Sequence, residues 1–85
     1  MHKVIHCKIN MFDRNALFVL EENGEFKELK QKISITELDK KLPALAREYG
    51  AKKIHFIGTD AYLKGLVKKI QKQNLEFSHF NIGVN

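Results

Sequence analysis

The chain has 85 residues, 44% of them apolar and 29% charged, with a formal net charge of +5 and one cysteine. That length fits one domain and no second, and a chain this short buries only roughly 60–65% of its unfolded surface, so a covering partner copy is expected on size alone. One cysteine excludes an internal disulfide and a cysteine-based zinc site. No apolar run approaches the roughly 20 residues of a membrane-spanning helix, and Met1-His2-Lys3-Val4-Ile5-His6 lacks the apolar core of a secretion signal, so the expected setting is cytoplasmic, with no membrane partner.

In chain order, Ile5, Cys7, Ile9 and Met11 alternate with His6, Lys8 and Asn10, the period-2 pattern of a half-buried strand. Phe12-Asp13-Arg14-Asn15 carries turn chemistry and leads into the apolar, β-prone run Ala16–Leu20, which predicts a hairpin. A second turn follows at Glu21–Glu25, where Asn23-Gly24 suits the positive φ angles of a tight hairpin. Phe26 to Ile33 alternates weakly, with Leu29 and Ile33 on one side amid charged residues, the pattern of an edge strand.

The period then changes. Ile35, Leu38, Leu42, Leu45, Ala46 and Tyr49 recur at spacings of three and four, and Gly50 stands at a helix C-terminus. Pro43 sets a constraint, since proline is comfortable only in a first turn, so a short turn at 36–38 followed by a helix is expected. Lys53–Ile57 reads as a fourth strand, and Gly58-Thr59-Asp60 as the turn into a second helix over Ala61–Gln73, whose apolar stripe is Leu63, Leu66, Val67 and Ile70. Leu75 to Val84 reads as a fifth strand.

The order βββαβαβ, with right-handed crossovers, predicts a single α/β domain over residues 1–85. Its mixed five-stranded sheet has strand order 3-2-1-4-5, with both helices on one face and the other face uncovered. His6 and His55, together with Phe77 and His79 on the fifth strand, fall by alternation on that uncovered face, which makes it a contact surface for another copy or a partner. Three level imidazoles, His6, His55 and His79, would also suit zinc, but no supporting carboxylate is evident. Cys7 points towards the helices as a buried structural thiol.

The charge excess is local. Residues 52–72 carry six lysines against Asp60, while the other 64 residues balance. Lys64, Lys68 and Lys72 share the face of the second helix opposite its apolar stripe. With Lys69 they form a candidate nucleic-acid-binding surface or, in the plainer reading, a solubilising one. Phe18, Phe26, Phe56, Phe77 and Phe80 are expected in core registers, unlike an exposed base-stacking platform.

Thr36-Glu37-Leu38, together with Ile54-His55-Phe56-Ile57-Gly58-Thr59-Asp60-Ala61-Tyr62-Leu63-Lys64-Gly65-Leu66, resembles the helix, strand, Thr-Asp turn and helix of the ribonuclease H-like superfamily over about a third of the chain. The resemblance implies that Glu37 and Asp60 correspond to two metal-binding carboxylates of those nucleases. The first strand, however, has no aspartate, and the family's further carboxylate beyond the fifth strand has no counterpart before Asn85. Two-metal chemistry needs several converging carboxylates. The expected function is therefore a non-enzymatic binding or assembly module, self-associating through the uncovered face and without a cofactor. The alternative is a divergent Mg²⁺- or Mn²⁺-dependent nuclease in which Glu37 and Asp60 are catalytic, with Asp60 a metal ligand.

Overall fold

The computed structural model describes residues 3–58 and 61–84. Strands β1 (Val4–Asn10), β2 (Asn15–Glu22) and β3 (Glu25–Ser34) form an antiparallel meander. A short 3₁₀ helix (Ile35–Glu37) then leads into α1 (Leu38–Glu48), followed by β4 (Lys53–Ile57), α2 (Ala61–Gln73), a second 3₁₀ helix (Leu75–His79) and β5 (Asn81–Val84). The sheet order is β3-β2-β1-β4-β5, with β4 parallel to both β1 and β5. The strand order and the two α-helices match the sequence expectation. No helix among the described residues is long and apolar enough to cross a membrane.

Local chemistry explains each turn. The β1–β2 turn contains no glycine; Asn10 Oδ1 accepts from Phe12 N–H and Asp13 Oδ1 from Asn15 N–H, while Arg14 takes a left-handed φ of 58°. In the β2–β3 turn, Asn23 (φ 55°) and Gly24 (φ 79°) form the two-residue loop that their dipeptide predicts. At the end of α1, Gly50 (φ 71°) donates to Arg47 O and Ala51 to Ala46 O, the paired bonds of a Schellman motif. After β4, Gly58 adopts φ 145°, and a Cβ there would stand 2.5 Å from Leu63 Cδ2, so this turn requires glycine on two counts.

One layer of side chains holds the fold together. Ile5, Cys7, Ala16, Phe18, Leu20, Ile54 and Phe56 point from one sheet face into a cluster with Leu38, Leu42, Leu45 and Ala46 of α1 and Leu63, Val67 and Ile70 of α2. Both helices thus pack on the same face. On β3, Ala16 pairs with Ile33 and Phe18 with Leu29, so β3 uses two more residues than β2 over this stretch. Because the excess is even, Leu29 and Ile33 both keep facing inward and the edge strand bends without losing its parity.

Two features depart from the sequence reading. Pro43 lies inside α1, beyond its first turn. It has no N–H to give the Asp39 carbonyl four residues back, and the Asn74 side-chain amide donates to that carbonyl instead. The second departure is that Leu75–His79 is helical. Asn74 Oδ1 accepts from Glu76 N–H at 2.9 Å, Ser78 Oγ donates to Leu75 O at 2.7 Å, and Arg47 pairs with Glu76. These local bonds offer the backbone an alternative to the ladder, so β5 is confined to four residues.

Candidate interaction surface

Because strand side chains alternate, the parity that buries Ile5, Cys7 and Phe18 leaves Val4, His6, Lys8, Leu17, Val19, Glu21, Lys53, His55 and Ile57 on the opposite face. Among the described residues no element covers it. Register sets these side chains in level rows. Val4 is level with Glu21 and Lys53, His6 with Val19 and His55, and Lys8 with Leu17 and Ile57. Glu21 is in turn level with Phe26 on β3, and His55 with Gly83 on β5. Leu17 is 40% exposed, Phe26 66% and Ile57 44%, so the face presents large apolar groups to solvent between charges of both signs. Beyond β1, Met11 and Phe12 are exposed as well.

The middle of this face is a polar chain. His6 Nε2 lies 2.7 Å from Glu21 Oε1, and His6 Nδ1 lies 2.8 Å from His55 Nδ1. An ionised carboxylate only accepts, so neutral His6 carries its proton on Nε2, and its Nδ1 then accepts from Nδ1–H of His55. The Phe26 ring lies 5.9 Å from the His6 ring, and the two imidazoles meet edge-on at 5.0 Å and 82°.

The structure corrects three expectations here. Phe77 is not on the open face: it is 1% exposed and part of the core, carried there by the 3₁₀ helix in place of a strand. His79 lies at the end of that helix, exposed and off the sheet, and β5 presents Gly83 beside His55, so the three imidazoles are not level. Phe26, expected in the core, faces solvent beside His6. The supporting carboxylate that the sequence did not reveal is Glu21, fifteen residues from His6 and adjacent only through β1–β2 pairing. No signal of spacing along the chain announces it.

The remaining candidates are dispersed. Lys64, Lys68, Lys69 and Lys72 are all exposed on α2. Glu37 ends the first 3₁₀ helix and pairs with Lys41, whose hydrogen bond and charge hold the Glu37 carboxyl below its usual range. Asp60, its proposed companion, lies outside the described residues. Lys8, on β1, stands on the open face, level with Leu17 and Ile57. Among the described residues, no three His, Cys, Asp or Glu side chains gather as a metal-binding group. Cys7 is buried, and burial pushes its thiol up to about 12 from 9.0, the opposite of what a nucleophile needs. No protein-family model matches the chain, and no curated protein matches it.

Proposed function

We propose that this chain is a non-enzymatic assembly module of minimal ribonuclease H-like form, which pairs with a second copy of itself through the open sheet face. The sheet order and strand directions support the fold reading. The observation that carries the functional reading is the register of that face. A two-fold axis parallel to β1, lying above the sheet, brings the β2 side of one copy over the β4 side of the other. Glu21 and Lys53 are both level with Val4, and Leu17 and Ile57 both level with Lys8. The axis therefore sets Glu21 against Lys53 of the second copy and Leu17 against its Ile57. That self-complementarity is what an isologous contact requires, and sheets stacked about 10 Å apart interdigitate such side chains. Lys64, Lys68, Lys69 and Lys72 lie on the helical side, so the pair would present two basic stripes on its outer surfaces, able to hold a nucleic-acid backbone.

Sedimentation velocity across a hundredfold range of protein concentration tests this. The expected result is a mass that rises towards two chains, and that stays at one chain when Leu17→Glu is introduced. Glu21→Lys and Lys53→Glu should each weaken the pair, and the double variant should regain part of the loss. A single-chain mass at every concentration, or a double variant no better than its parents, would overturn the reading.

A further inference from the structure

The chain Glu21–His6–His55 has the composition of a metal site's inner and outer shells, although only two of its groups can be ligands. The two histidines occupy level positions on neighbouring parallel strands, so their backbones are fixed relative to each other by the ladder. Both direct the same ring atom, Nδ1, inward to the pair, at 2.8 Å. The far nitrogen of His6 is held by a carboxylate at 2.7 Å, the arrangement by which metal-bound imidazoles are usually oriented and made more basic. Two nitrogens bound to one ion at about 2.0–2.1 Å stand about 2.9 Å apart at a right angle and about 3.3 Å apart at a tetrahedral angle. The observed separation matches the right-angled case, and opening by about half an ångström reaches the tetrahedral one.

We infer that His6 and His55 bind one divalent transition-metal ion of the imidazole-preferring class, Ni²⁺, Cu²⁺ or Zn²⁺, through their Nδ1 atoms. The rings turn from facing one another to facing a common point on the solvent side of the sheet. The proton between the two Nδ1 atoms leaves this position, and His55 carries its proton on Nε2 instead, so the site loads without net loss of a proton from the neutral pair. Water completes the coordination. Glu21 is a positioning residue that keeps His6 Nδ1 free of its proton. Two neutral nitrogen donors do not suit Mg²⁺ or Ca²⁺, which take oxygen ligands, so this site differs in kind from a nuclease centre. Both imidazoles belong to one chain, but they lie on the face assigned to the pairing, so the site is read on the single chain.

The test is isothermal titration of the purified chain, freed of metal with a chelator, with NiCl₂, ZnCl₂ and MgCl₂, alongside histidine ring signals in heteronuclear NMR. Saturable binding of Ni²⁺ or Zn²⁺ is expected, with perturbation confined to the His6 and His55 rings and no response to Mg²⁺. His55→Ala should abolish saturation, and Glu21→Gln should weaken binding by about 10–100-fold while the fold persists. The inference fails if the wild-type chain shows no saturable binding, if Mg²⁺ binds equally well, or if the signals of His79 respond in place of His6 and His55. Sedimentation with and without the chelator separates this outcome from the fate of the pairing reading.

Discussion

Replacing Asn74 with alanine removes a side chain that ties the helix interrupted by Pro43 to the segment after α2. Its amide donates to the Asp39 carbonyl, and its oxygen caps the 3₁₀ helix through Glu76 N–H. Loss of a cap costs about 1 kcal/mol. Stranding a partly buried carbonyl costs about 1–3 kcal/mol, and partial exposure places this one near the lower end. Asn74→Ala should therefore cost about 2 kcal/mol. In a Pro43→Ala background the new N–H at position 43 reaches Asp39 O within the helix, so only the cap is lost and Asn74→Ala should cost about 1 kcal/mol. Urea denaturation of the four proteins, at one fixed chain concentration, gives the coupling directly as a double-mutant cycle. The expected coupling is about 1 kcal/mol, and a value below about 0.3 kcal/mol would show that Asn74 does not replace the bond that Pro43 lacks.

Three further outcomes follow from the structure. Phe77→Ala should destabilise the fold by about 3–5 kcal/mol because the ring is in the core; a cost below about 1 kcal/mol would return Phe77 to the surface. The folded state keeps the Cys7 thiol protonated up to about 12, while the unfolded chain loses that proton near 9.0, so the unfolded state binds fewer protons in this window. Stability should fall between pH 9 and 12 by about 1.4 kcal/mol per pH unit, and Cys7→Ala should remove that slope; equal slopes in denaturant titrations at pH 8 to 10.5 would refute the assignment. Lys68→Glu with Lys72→Glu should abolish any salt-sensitive binding of labelled single-stranded or duplex nucleic acid measured by fluorescence anisotropy, and unchanged affinity would leave α2 a solubilising surface.

The strand parities of β1 and β2, the Asn23-Gly24 turn, the end of α1 at Gly50 and the apolar stripe of α2 were all legible in the sequence. Each depends on residues within one or two turns of each other, where the period of burial is fixed by backbone geometry. The sheet order was legible too, because three meander strands followed by two right-handed crossovers leave few alternatives. Leu75, Phe77 and His79 alternate as a strand would, but alternation over five residues is too short to discriminate. The side chains of Asn74 and Ser78 then won the backbone for a 3₁₀ helix. Phe26 departs from its expected core register for a related reason: in an edge strand with few apolar residues, which face a phenylalanine takes is settled by pairing with Glu21.

The sequence by itself determined the meander, the two α-helices, the strand order and the presence of an open sheet face, since these follow from local periodicity and chain connectivity. Only the tertiary structure decided what stands on that face. Glu21, His6 and His55 are separated by 15 and 49 residues and meet through ladder register. Asn74 and Asp39, 35 residues apart, meet because a helix without one N–H needs a donor from elsewhere. Such contacts depend on the relative offset of paired strands and packed helices, and that offset is set by the whole core at once.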